Sequence, residues 1–167
     1  MSTKDLMRKE ALNKLKELAE GIDFTMMDTN LGGKPSHIIP MSTKEVDATG
    51  AIWFLSNSNS KHNAYIERDN AVQLIYAKPG DMEYMTVFGH AYITTDRNVI
   101  KKYYGKFDDT WFDGIDDPNV TAIKVIPEEA YYWDTKNGKL TTFIKMGVGA
   151  VTGKKQDLGV EGELDIE

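Results

Sequence analysis

Residues 84–95 read YMTVFGHAYITT. Met85, Val87, Ala91 and Ile93 share one parity; Tyr84, Thr86, Phe88, His90, Tyr92 and Thr94 share the other. A period of two kept up over such a stretch belongs to a strand, where successive side chains leave the pleat on opposite faces. The first set is apolar and suits a core. The second is too aromatic to face bare water and predicts a neighbouring element or a second chain.

Other strands follow on both sides of this one. IDFTMMDT (22–29), the turn NLGGK and PSHIIPMS (35–42) read as a hairpin. Pro40, late in the return strand, predicts an edge, a bulge or a place where something else approaches the backbone. AIWFLSN (51–57), AVQLIYA (71–77), TAIKVIPEEAYYW (121–133) and LTTFIKMGVGAV (140–151) are further strands. Helices are predicted at the N-terminus, where Met7, Ala11, Leu15 and Leu18 form a stripe and Gly21 suits the position after the end, at SKHNAYIERDN (60–70), and at NVIKKYYG after the cap Asp96. A further helical turn is read around Trp111 and Phe112. Repeated strand–helix units and a glycine-rich dinucleotide fingerprint are missing from this order, which excludes a doubly wound parallel sheet. The expected fold is mainly β with flanking helices: a six- or seven-stranded, largely antiparallel barrel. Residues 1–151 form one domain in this reading, and residues 152–167 an acidic tail that is either loose or paired at an edge through Leu164 and Ile166.

Composition removes several functions. The chain has 167 residues, no cysteine and a formal charge of −6. A thiolate nucleophile, sulfur-ligated metal and a disulfide framework are excluded. Only Arg8, Arg68 and Arg97 are arginines and they are scattered, so the basic stripe of a nucleic-acid binder is missing. No run of eighteen apolar residues is present to span a membrane, and a cytoplasmic protein is expected. His37, His62 and His90 show no metal-ligand spacing. The acids of GIDDP (114–118) read as turn caps.

One stretch carries chemistry. In FLSNSNSKHNAYI (54–66) a strand passes through five small polar residues into a helix, with Ser60 at the N-cap and Lys61 as the first helical residue. Hydroxyls, free first-turn amides and one cation are what a phosphate monoester requires. A plain capped helix with a solvated lysine has the same sequence, so the residues alone leave both readings open. Trp133, at the end of a strand, could present its ring to a ligand or a partner.

Taken in order, HIIPM, IWFLSNSNSKHNAYI, AVQLIYA, YMTVFGHAYITTDRNVI, WFDGIDDPNV and VIPEEAYYWD resemble the general-stress-protein branch of the pyridoxamine 5′-phosphate oxidase-like proteins, the flavin-binding split barrels. The likeness runs from about residue 5 to 151. It implies a homodimer with FMN, or FAD as the alternative, at the subunit interface. It further implies that His37, Ile38, Ile39, Pro40 and Met41 run along the flavin ring and ribityl chain, that Phe54, Leu55 and Ser56 line its other side, and that Ser60 and Lys61 hold the phosphate. Trp133 joins these as a cofactor contact.

The chain departs from the founding enzyme in its C-terminal part. True pyridoxamine-phosphate oxidases carry an arginine- and histidine-bearing segment there, and here no arginine follows Arg97 and no histidine follows His90. Oxidation of pyridoxamine phosphate is therefore not expected. The resemblance implies a flavin-dependent oxidoreductase of unknown substrate, connected with stress. A flavin store or sensor is the first alternative, and a haem or deazaflavin binder the second.

Overall fold

The computed structural model describes residues 2–3, 6–135 and 159–165. Its elements in chain order are β1 (Ser2–Thr3), β2 (Leu6–Met7), α1 (Arg8–Ile22), β3 (Phe24–Thr29), β4 (His37–Ser42), β5 (Glu45–Val46), β6 (Ile52–Asn57), α2 (Lys61–Arg68), β7 (Ala71–Lys78), β8 (Glu83–Thr94), α3 (Arg97–Tyr103), a 3-10 turn (Lys106–Thr110), β9 (Val120–Thr135) and β10 (Gly159–Asp165). The sheet runs β1-β10-β9-β8-β7-β3-β4, and β6 pairs with β9 on the same edge as β10, opposite β8, with β5 beside it. β9, 16 residues long, holds both ends together: its first half pairs with β6 and its second half with β10. Every pairing from β3 to β10 is antiparallel. The sheet curls until β4 approaches β6, yet the two do not pair. The result is the expected split barrel.

Period two sets the inside of the barrel. Met85, Val87 and Ala91 of β8 are fully buried, as are Val72, Leu74 and Tyr76 of β7 and Ile123 and Val125 of β9. Ala11, Leu15, Leu18 and Ala19 of α1 join the same cluster. Burial of each leucine removes enough apolar area for roughly 1.5–3 kcal/mol. α1 does not stop at Gly21. It continues through Ile22, and Asp23, at φ +69°, takes the left-handed position while its N–H bonds to Ala19 O. A smaller cluster packs α3 on the outside of β6 and β9 through Ile100, Leu55, Val120 and Ala122.

Three features depart from or complete the sequence reading. The helical turn expected around Trp111 and Phe112 ends one residue earlier, at Thr110, with Trp111 after it. Of the tail, Gly159–Asp165 is a strand against β9 and Leu164 is buried in the main core, while Ile166 lies outside the described residues. The strand read at 140–151 and the boundary at 151 lie outside the described residues. As expected of the GIDDP acids, Asp117 accepts from the backbone N–H groups of Asp113 and Asn119 at 3.0 and 2.8 Å.

Candidate functional site

The β6–α2 connection is held tightly. Ser58 N–H donates to Asn119 O, Ser60 N–H to Asn57 O, and Asn59 N–H to the Asn57 side chain. These bonds fix Ser60 in an extended conformation at the N-cap, where its Oγ accepts from Asn63 N–H at 3.2 Å. Among the described residues the Ser60 hydroxyl has no acceptor for its own hydrogen. Lys61 is exposed as the first residue of α2, and the amides of a first helical turn have no intrahelical acceptor. Hydroxyl, amides and cation therefore sit together on one small surface.

Beneath it lies a directed network of polar groups. Asn63 Nδ2 donates to Thr121 Oγ1 at 3.0 Å, and Thr121 Oγ1 donates to Ser56 O at 3.1 Å. Asn63 Oδ1 is thereby left to accept from Ser56 Oγ. With its only hydrogen committed, Ser56 Oγ must accept from His62 Nε2, 2.8 Å away. His62 is thus the tautomer with hydrogen on Nε2 and a bare Nδ1. Burial, and then the neighbouring His37, push its pKa down to about 4, so the ring is neutral. His37, at the start of β4, has its ring centroid 5.4 Å from that of Tyr65 on α2.

Strand geometry then shows which backbone groups face the split. Thr43 N–H bonds Asp23 O, so the hydrogen-bonded pairs between β4 and β3 are Met41–Thr25, Ile39–Met27 and His37–Thr29. Ile38 and Pro40 fall at the intervening positions and turn their backbone groups to the open edge. Pro40 lacks only an N–H that no strand needs there. On the other side, Ser58 N–H bonds Asn119 O and Lys44 N–H bonds Trp53 O. Ser56 and Phe54 therefore bond to β9, and Leu55 turns its N–H and C=O to the split. Among the described residues, two strand edges with unpaired donors and acceptors face each other, with the N-terminus of α2 at the end of one of them.

The eleven residues expected at the site fall into groups. His37, Ile38, Pro40, Leu55, Ser60 and Lys61 have side chains or backbone groups at the split or at the α2 terminus. The side chains of Met41, Phe54, Leu55 and Ser56 are buried in protein contacts, and Ile39 packs on the core; of these five only Leu55 turns its backbone groups to the split. Trp133 stands apart. Along β9 it is twelve positions beyond Thr121, the partner of Ser56, which is roughly 40 Å of strand path at ~3.3 Å per residue. It lies beside Tyr84 and lines a cleft of about 610 Å³ with Ile75, Met82 and Met85. His62, Asn63 and Thr121 were not singled out by the sequence; the only hint was a histidine two places after the cap, on a turn of the helix that must face the strand preceding it.

Residues 10–157 match the family described as pyridoxamine 5′-phosphate oxidase like. The chain belongs to the pyridoxamine 5′-phosphate oxidase-like family. Over 157 residues it is 24% identical to protein bli-3 of Neurospora crassa, with 87% of this chain and 75% of that one covered. Its fold is similar to that of a Jannaschia sp. CCS1 protein assigned as a general stress protein 26, at TM-score 0.75 and 22% identity, covering 93% of this chain and 98% of the other. It is also similar to the general stress FMN/FAD binding protein of Xanthomonas citri, at TM-score 0.65 and 19% identity, covering 75% and 89%. In this family member no described helix is long and apolar enough to cross a membrane.

Proposed function

We propose that this protein binds FMN in the split between β4 and β6 and uses it for hydride or electron transfer with a small molecule. The observation that carries the reading is the pair of unpaired strand edges, at Ile38–Pro40 and Leu55, ending at the Ser60–Lys61 helix terminus. An isoalloxazine ring has a polar edge of donors and acceptors and two apolar faces; a ribityl phosphate ends in a dianion. The donor set fits both ends of such a molecule: strand amides and carbonyls for the ring, and hydroxyl, helix amides and ammonium for the phosphate. A bound flavin would supply the redox chemistry. The chain's own part is to orient the ring against β4 and β6 and to hold the phosphate.

A site that also includes Trp133 has to be completed by a second copy of the chain, since one protomer keeps Trp133 far from Lys61. The outer face of the sheet is suited to that role. Met26, Ile75 and Tyr84 are exposed there on adjacent strands, and Ile38 and Ile126 extend the patch. The related Xanthomonas citri protein is an FMN/FAD binding protein, which supports a flavin in preference to another planar cofactor.

Titration of the apoprotein with FMN tests the reading. Quenching of flavin fluorescence with saturation at one flavin per chain is expected, together with the two-banded visible spectrum of oxidised flavin. Bleaching of the longer-wavelength band by a reduced nicotinamide donor would support transfer chemistry. Saturable FMN binding with a flavin that no donor reduces would instead favour storage or sensing, and no binding would remove the proposal.

A further inference from the structure

His62 is placed to respond to the charge of whatever occupies the α2 terminus. Its ring is bonded to Ser56 on β6, and His37 on β4 is near enough to disfavour its cation. The network below it fixes Nε2 as a donor to Ser56, so a second proton can enter only at Nδ1 and would disturb no existing bond. The elements packed against α2 carry the charged and titratable groups of this region. Lys61 and Tyr65 lie on α2 and His37 on β4. β3 carries Asp28, bonded by Ser36, and β8 carries His90, engaged by Asn70 and Glu128. On β6 it is bonded to the neutral Ser56, which Asn63 links to the neutral Thr121 of β9. The free protein thus holds a neutral imidazole, because burial and then His37 disfavour the cation.

We propose that His62 belongs to the phosphate end of the site: when a phosphate-bearing flavin binds, Nδ1 takes up a proton from solvent, keeps it, and donates a hydrogen bond through it to a phosphate oxygen. This inference rests on the flavin reading above and adds a residue and a proton to it. A dianion at Ser60 and Lys61 favours the cation against the burial, and then the His37 repulsion, that keep the ring neutral, and it provides the acceptor that the new N–H needs. Riboflavin, which has the same ring and no phosphate, cannot do either.

With only three histidines in the chain, ring resonances can be followed singly by NMR. The pH titration of His62 is measured in the free protein, with saturating FMN and with saturating riboflavin. His62 is expected to ionise near 4 in the free protein and with riboflavin, and roughly one unit or more higher with FMN. H62Q, whose amide can still donate to Ser56, identifies the resonance by its loss; should that variant not fold, H37Q and H90Q identify it by elimination. FMN bound with an unshifted His62, or an equal shift with riboflavin, overturns the inference and leaves the flavin site standing. Failure of FMN to bind at all overturns both.

Discussion

Lys44 Nζ lies 2.7 and 2.8 Å from the two carboxylate oxygens of Asp108, tying the β4–β5 connection to the 3-10 turn that follows α3. Both side chains are largely buried, and Asp108 also accepts from Gly105 N–H at 2.7 Å. The pair therefore fastens the second, outer hydrophobic cluster to the barrel beside the split. Lys44→Met removes the cation and leaves the carboxylate short of partners in a poorly solvated place. The expected loss is roughly 2–3 kcal/mol, or about 4–12 °C in melting temperature for a domain of this size. Calorimetry on the variant checks this, and a change under about 1 °C would show that water replaces the lysine at no cost.

Gly89 is the second structural dependence. At the register shift between Phe88 and Gly89, β8 passes so near β9 that a Cβ on Gly89 would stand 2.3 Å from Ile126 O and 3.0 Å from Pro127 Cα. Backbone, not a flexible side chain, blocks it. Gly89→Ala should cost roughly 1–3 kcal/mol by urea unfolding. An unchanged midpoint would mean that the bulge relaxes freely.

The strand pattern was legible because one face of each strand is buried: Met85, Val87 and Ala91 show their parity without any neighbour in view. Pro40 was legible too, since a residue without an N–H restricts where its strand can lie. The bulge was harder to see. Gly89 fits the inward parity of its own strand, and the extra residue, Glu128, sits on β9, so only the pairing shows it. The role of Gly21 was misread because glycine is the usual residue at a left-handed helix end, whereas here Asp23 adopts that conformation. At the site, Ser60 and Lys61 were readable as a local cap. The Ser56–His62–Asn63–Thr121 network was not, because Thr121 reaches it from a strand 58 residues beyond Asn63. Tertiary proximity of this kind leaves no local spacing to read.

His62 makes a prediction about stability as well as binding. Its folded pKa, about 4, is below the ordinary histidine value because burial, and then His37, disfavour the cation. Between pH 6.5 and 4 the unfolded chain therefore binds more protons at this residue than the folded one does. The stability His62 confers is full above the unfolded value and falls as pH drops through that window. Because the ring is partly exposed, solvent screening leaves this contribution on the order of 1–2 kcal/mol. In H62Q the fall in urea midpoint from pH 7 to pH 4.5 should be smaller than in the unaltered protein. Parallel curves for the two would show that His62 is not the group responsible.

The outer sheet face predicts the assembly. Tyr84, Phe88, His90 and Tyr92 line it from β8, and Ile75 of β7 lies beside Thr86 of β8. Ile75→Glu places a charge at the middle of this face without touching the core, as Ile75 is exposed in the single chain. Sedimentation of the unaltered protein should give a dimer at micromolar concentration, and the Ile75→Glu variant a folded monomer with weakened flavin binding. A stable monomer of the unaltered protein that retains flavin would rule out the dimer and leave Trp133 out of the site.

Lys61 gives the most direct test of the phosphate end. It is exposed, makes no ion pair among the described residues and caps nothing, so its removal should leave the fold intact. Ser60 is less suitable, since Ser60→Ala would lose the cap bond to Asn63 N–H, worth about 1 kcal/mol, along with any phosphate contact. Lys61→Ala should weaken FMN binding by roughly 1.5–3 kcal/mol, about 10- to 150-fold, and riboflavin binding hardly at all, since riboflavin has no phosphate to lose. Fluorescence titrations with both ligands at fixed ionic strength measure the difference. The loss for FMN should also shrink as salt is raised, because a charge contact at an exposed lysine is screened. Equal losses for both ligands would mean that Lys61 acts through the fold or the dimer. No loss for either would make it an ordinary solvated lysine at a helix start, with the phosphate held, if anywhere, by Ser60 and the first-turn amides alone.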